Sequence, residues 1–281
     1  YNGVTTVEDG VIVVSGFNSD FGQVVKYDLE GNIEWENTEK SYSYNGVTTV
    51  ENGVIAVAYG GKVVKYDLEG NIVWENAEKS YSYQEVITVE DGVIAVSVNG
   101  QVVKYDLEGN IVWENTEKSY RYYRVTEVEN GVIAVAYDGQ VVKYDLEGNI
   151  EWENIEKSYQ YEGVTTVEDG VIAVGNSGQV VKYDLEGNIV WENTEKSWNY
   201  IEVITVTDGV IAVSLNGQVV KYDLEGNIVW ENARLYGYQG VITVEDGVIA
   251  VTYIGKVVKY DLEGNIEWEN TEKSYRYYGV T

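Results

Sequence analysis

Apolar and polar positions alternate along this chain in short bursts that return with a fixed period. The second burst shows the pattern. Val47-Thr48-Thr49-Val50 alternates and is β-branched, which predicts a strand, A. Val54-Ile55-Ala56-Val57 is unbroken and apolar, which predicts a strand, B, buried on both faces. Lys62-Val63-Val64-Lys65-Tyr66 predicts strand C, and Asn71-Ile72-Val73-Trp74-Glu75 predicts strand D. Glycine-bearing turns separate them: Asn52-Gly53, a turn ending in Gly61, and Asp67-Leu68-Glu69-Gly70. An Asp-Gly or Asn-Gly pair stands at the first turn of every repeat, where it is expected to supply the positive φ angles of a two-residue hairpin. Helical 3.6-residue periodicity is missing throughout.

The stretch Lys-Tyr-Asp-Leu-Glu-Gly-Asn-Ile-x-Trp-Glu-Asn recurs seven times, with tryptophans at 35, 74, 113, 152, 191, 230 and 268. The steps are 39 residues five times and 38 once. Four short antiparallel strands per repeat, seven times over, predict an all-β fold: a seven-bladed β-propeller of about 39 residues per blade. The repeats run approximately 1–43, 44–82, 83–121, 122–160, 161–199, 200–237 and 238–276, within a single domain of residues 1–281. One blade cannot bury both its faces, so neighbours must cover them. The tryptophans on strand D are expected to wedge between blades. The first repeat carries four extra residues within Gly16-Phe17-Asn18-Ser19-Asp20-Phe21, and one residue is lost at Ala233-Arg234-Leu235. Residues 277–281 duplicate the start of a repeat, so the expectation is that one end frays or that further repeats flank this segment.

Composition narrows the chemistry. Cysteine, histidine, methionine and proline are all absent from the 281 residues. Thiolate sites, disulfides and the commonest general base are therefore excluded. The net charge of −28 argues against nucleic acid and against anionic membrane surfaces. No apolar run approaches the length of a membrane span, so no insertion is expected. An extracellular or cell-surface setting fits the charge.

Tyr27-Asp28-Leu29-Glu30-Gly31-Asn32-Ile33-Glu34-Trp35 resembles the tryptophan-docking repeat of quinoprotein-like, PQQ-type propellers. The resemblance spans all seven repeats. It implies that an aspartate, a glycine and an outer-strand tryptophan fix each blade to the next. This sequence has one residue fewer between Asp and Trp than the usual pattern. The Asp-x-x-Gly-x-x-x-Trp spacing is also similar to that of arylsulfotransferase propellers, whose catalytic histidine has no counterpart here. Quinone dehydrogenases of the family use vicinal cysteines and a calcium site, and the cysteines are missing. The resemblance therefore implies a fold and carries over no catalytic residue, cofactor or metal ligand.

The repeats differ from one another unevenly. Asp-Leu-Glu-Gly-Asn is identical in all seven, and the rim built from A–B and C–D turns is expected to be constant and acidic. Its turn aspartates are expected to bind their own backbone, so no metal is expected. The B–C turns and D–A connectors vary. They carry Tyr59, Tyr137, Asn176 and Tyr253 before the B–C glycine, and Arg121, Tyr123, Arg124, Trp198 and Asn199 in the connectors. Phe17 and Phe21 lie in the insertion of the first repeat. Aromatic rings interleaved with adaptable hydrogen bonders suit a recognition surface. The sequence thus favours a non-enzymatic binding or adhesion module whose variable face meets a glycan or a protein. Constant residues such as Tyr44 are expected to be packing. The alternative is an engineered or recently amplified repeat scaffold with no ligand of its own. An enzyme is disfavoured, because the abundant carboxylates sit in repeated turns rather than in one asymmetric cluster.

Overall fold

A computed structural model describes residues 3–16, 22–29, 32–252 and 256–270. Among them, 28 strands form seven four-stranded sheets, each an antiparallel meander of four strands consecutive in sequence. This is the seven-bladed β-propeller. The chain divides into two compact units. Unit 1 comprises residues up to Glu127 with Tyr144–Asn149; unit 2 comprises Val128–Lys143 and the chain from Ile150 onward. The insertion at 17–21 and the tail at 277–281 lie outside the described residues.

The second sheet, in unit 1, shows how the pattern folds. Its strands A to D are Tyr44–Val50, Gly53–Ala58, Val63–Tyr66 and Ile72–Asn76. Strand B is buried along its whole length because its side chains alternate between two cores. Val54, Ala56 and Ala58 join Ile12, Val14 and Val24 of the preceding sheet. Ile55 and Val57 join Val86, Val93, Ala95 and Val103 of the following one. Small side chains on one face meet large ones across the gap, which fills the interface without overpacking. In unit 2 the same two-sided arrangement recurs around Ala173, Ala212 and Ala250.

Strand A starts earlier than the alternation predicts, at Tyr44. A β-bulge between Tyr44 and Gly46 admits one extra residue. Tyr44 is fully buried, and its hydroxyl lies 2.7 Å from that of Tyr66 on strand C. The same buried pair forms at Tyr83–Tyr105, Tyr122–Tyr144, Tyr161–Tyr183, Tyr200–Tyr222 and Tyr238–Tyr260. Burial pushes the Tyr44 hydroxyl well above its usual pKa and that of Tyr66 to about 12, so both stay neutral and hydrogen-bond each other.

The A–B hairpin corrects one expectation. Val50 pairs with Gly53, so the two loop residues are Glu51 and Asn52, and the glycine already belongs to strand B. At this hairpin φ is +59° at Asn52 and +153° at Gly53, and the asparagine of the fourth repeat, Asn130, has φ +60°. The glycine is required for room. A Cβ on Gly53 would lie 2.0 Å from the Tyr66 carbonyl oxygen, and the carbonyl of the corresponding tyrosine crowds Gly10, Gly92, Gly170, Gly209 and Gly247 in their own repeats.

Strand A is the inner edge of each sheet, and neighbouring sheets satisfy its unpaired backbone groups. A two-residue hairpin closes on a hydrogen-bonded pair, so alternate residues turn their N–H and C=O away from strand B. The hydroxyl of Thr88 donates to the Thr49 carbonyl, that of Thr49 to Thr6, and that of Thr205 to Thr166, each at 2.6 Å. Glu85 accepts the Val125 N–H at 2.6 Å, and Glu202 accepts that of Val241 at 3.0 Å.

Candidate functional site

The repeated motif resolves into a docking joint. The Trp74 indole N–H donates to the Leu107 carbonyl at 2.8 Å, and its ring lies over Gly109, where a Cβ would sit 2.7 Å from Cδ2. Asn76 donates to the Gly109 carbonyl and accepts the Glu78 N–H. Asp106 accepts the N–H groups of Glu108 and Asn110 and the Asn110 side-chain amide. Indole-to-carbonyl bonds join Trp35, Trp113, Trp152, Trp191 and Trp230 to the sheets that follow them. The turn aspartates bind their own backbone, so these aspartates are structural.

A second set of carboxylates answers a buried lysine on strand C. Lys26, Lys104, Lys182, Lys221 and Lys259 reach the aspartate of their own A–B turn at 2.6–2.8 Å. Lys143 reaches Glu151 on strand D instead. Hydrogen bonding from these lysines holds Asp9, Asp91, Asp169 and Asp246 below the usual aspartate pKa. The second repeat has neither acid. Asn52 and Val73 occupy those positions, and among the described residues the Lys65 ammonium reaches only the Leu107 carbonyl, at 3.5 Å.

The variable positions lie where the B–C turns meet the D–A connectors. The Tyr59 N–H donates to the Ser43 carbonyl, Val98 to Ser82, Asn176 to Gln160 and Leu215 to Asn199. In unit 1 several variable residues form a row. Tyr59 is 46% exposed, and its hydroxyl accepts from the Gln84 amide of the next sheet at 2.7 Å. Beside Gln84 stands Glu85, whose carboxylate lies 3.7 Å from the Arg124 guanidinium. Arg124 also donates to the Tyr123 carbonyl at 3.3 Å. Burial pushes the Glu85 carboxyl above its ordinary pKa, against the pull of Arg124 and of the Val125 N–H. Arg121 is exposed on the same connector.

Unit 2 treats its candidates differently. Trp198 takes the place held by Tyr42, Tyr81, Tyr159 and Tyr236 in other connectors, and it packs edge-on against Tyr200 in the core. Those tyrosines donate to Glu75, Glu114, Glu192 and Glu269, but an indole at 198 lacks the hydroxyl, and the matching Glu231 bonds Lys196 instead. Asn176 donates to the Gln160 side chain at 2.5 Å, and Tyr137 is half-buried. Phe17, Phe21 and Tyr253 lie outside the described residues.

The other rim of unit 2 holds a cleft of about 500 Å³. It runs between the A–B turns of the fifth, sixth and seventh sheets, over Val167, Val206, Leu224, Val244 and Leu262. Glu168 stands on one side, Glu245 on the other, and Thr207 in the middle. This departs from the expected constancy of that rim. The sequence carries a signal: Glu8, Glu51, Glu90, Glu129, Glu168 and Glu245 share a repeat position, and Thr207 is the one exception. Among the described residues, no group of three or more acidic side chains is placed to hold a metal ion.

The sheets and their indole joints define the class as a tryptophan-docked β-propeller. The chain belongs to the family described as outer membrane protein assembly factor BamB, whose model matches residues 2–160, 70–194 and 160–277. Among solved structures, BamB from Moraxella catarrhalis is similar at 20% identity and a TM-score of 0.76, covering 99% of this chain and 87% of that one. The computationally designed Ika8 protein is similar at 13% identity and a TM-score of 0.86, covering 100% and 89%. The Sqt1 protein of Saccharomyces cerevisiae is similar at 11% identity and a TM-score of 0.82, covering 95% and 84%. These likenesses describe the fold. No curated protein matches the chain.

Proposed function

We propose that this chain is a non-catalytic, protein-binding propeller of the cell envelope, which meets its partner through the B–C turns and D–A connectors. The observation that carries the reading is the row in unit 1, where exposed Tyr59 meets half-buried Gln84 and the half-buried Glu85–Arg124 pair follows it. An aromatic ring, an amide and an arginine at a rim position are the residue types that protein interfaces favour. Family membership supports a protein partner and an envelope setting, since the family is described by outer-membrane protein assembly. A glycan ligand rests on the residue palette alone. The absence of catalysis is supported by how the acids are used: turn aspartates bind backbone or lysine, and histidine and cysteine are missing from the sequence.

Immobilised protein is exposed to detergent-solubilised outer-membrane proteins and, separately, to a glycan array. Saturable protein binding that falls at least tenfold with Tyr59→Ala and Arg124→Ala, with folding unchanged, supports the reading. Binding untouched by both substitutions, or confined to glycans, refutes it. A second reading, a scaffold with no ligand, draws on the near-identity of the repeats and on the likeness to a designed propeller. It predicts no saturable binding in either arm.

A further inference from the structure

We infer that the cleft on the A–B rim of unit 2 is a docking groove for a lysine- or arginine-bearing segment of a partner protein, independent of the variable rim. Its volume, about 500 Å³, falls within the range of roughly 300–1,000 Å³ typical of built ligand sites. The lining has two parts. Val167, Val206, Val244, Leu224 and Leu262 give an apolar floor, and threonine hydroxyls and two glutamates give the walls. A basic side chain has the matching form, with an aliphatic stem for the floor and a cation at the tip.

The charge follows from which acids are already engaged. Asp169, Asp208 and Asp246 stand in the same three turns, but Lys182, Lys221 and Lys259 neutralise them at 2.6–2.8 Å. Glu168 and Glu245 make no ion pair among the described residues, and both are exposed. The uncompensated negative charge of the groove therefore comes from its two flanks. In the central turn Thr207 replaces the glutamate of the other six repeats, so a short side chain stands between two long ones. The short central side chain is thus specific to the sixth repeat. A −28 chain favours encounter with basic segments, and the groove gives such a segment a defined seat.

The test is titration of the isotope-labelled full chain with the blocked peptide acetyl-Lys-Leu-Lys-Leu-amide, followed by amide shifts at Thr205, Thr207 and Thr243. Saturable shifts at these residues are expected, fading with added salt. Glu168→Gln with Glu245→Gln should weaken binding about fivefold, the scale of losing two exposed ion pairs. Glu69→Gln with Glu108→Gln removes the same charge from exposed C–D turns that do not line the cleft and should leave binding unchanged. Thr207→Tyr should fill the cleft and abolish the shifts. Two results overturn the proposal: no saturable shift at these threonines, or equal weakening by the two charge-matched pairs, which would reduce the effect to net charge. The Tyr59 and Arg124 variants leave this groove intact, so each proposal stands or fails separately.

Discussion

Replacing Gly109 by alanine tests whether the indole joint holds neighbouring sheets together or merely decorates them. Gly109 sits at φ +87°, and its added Cβ would lie 2.7 Å from Trp74 Cδ2. Two costs should add. Left-handed backbone costs a non-glycine residue about 1–2 kcal/mol. Displacing the ring costs a further ~1–3 kcal/mol of overpacking, and about 1 kcal/mol more if the Trp74 bond to the Leu107 carbonyl breaks. Gly60 supplies the control. Its φ is +79°, and nothing lies within 4 Å of its Cβ position, so Gly60→Ala isolates the backbone cost. Urea unfolding should therefore show about 1–2 kcal/mol lost for Gly60→Ala and about 2–5 kcal/mol for Gly109→Ala, or about 3–6 kcal/mol if the Trp74 bond breaks. Adding Trp74→Phe should cost less in the Gly109→Ala background than in the parent, because the ring has already left its seat. Equal losses for the two glycines would refute the joint.

Three further outcomes follow from buried polar groups. Tyr44→Phe leaves the Tyr66 hydroxyl buried without its partner and should cost about 1–3 kcal/mol in urea unfolding, whereas the double change with Tyr66→Phe should recover most of that loss. Asn52→Asp places a carboxylate where Asp91 already serves Lys104; it should stabilise by about 0.5 kcal/mol at low salt and by nothing at 1 M salt. The folded-state pKa of Glu85 is raised, so its contribution is fully present below the ordinary glutamate pKa and is lost as pH rises through the folded value. The parent's stability relative to Glu85→Gln should therefore decline as pH climbs from 4 towards 7, as read from urea midpoints across that span; a flat difference refutes it.

Much of the fold was legible because the repeats supply seven readings of one pattern. The unbroken apolar run at Val54–Val57 announced burial on both faces, and alternation between two cores is its physical cause. The tryptophan period announced the joint. What the sequence concealed was local crowding. Nothing in Asn52-Gly53 shows that the glycine answers a carbonyl oxygen on strand C rather than a turn angle. The lysines of strand C likewise gave no sign that they would be buried against turn acids, since their partners lie 13 or 17 residues away. The cleft was missed because attention to identical residues hides a single exception, Thr207.

The variation between repeats therefore has two sources, and the inner edge separates them. One repeat position carries Gly46, Glu85, Arg124, Gly163, Glu202 and Gly240. Where it is glutamate, the side chain caps the backbone N–H of the next inner strand, at Val125 and Val241. Where it is glycine, the neighbouring strand comes close: a Cβ on Gly46 would lie 3.1 Å from the Glu85 Cα, and one on Gly163 would lie 3.0 Å from that of Glu202. Neither choice needs a ligand to explain it. Edge strands must be satisfied or covered, and a ring of small and capping residues does both. Trp198 likewise answers to its core neighbour Tyr200. Tyr59 differs in kind. It is 46% exposed, and its hydroxyl accepts from the Gln84 amide. Diversity that serves recognition should concentrate at such residues, where the fold gains little from the side chain chosen.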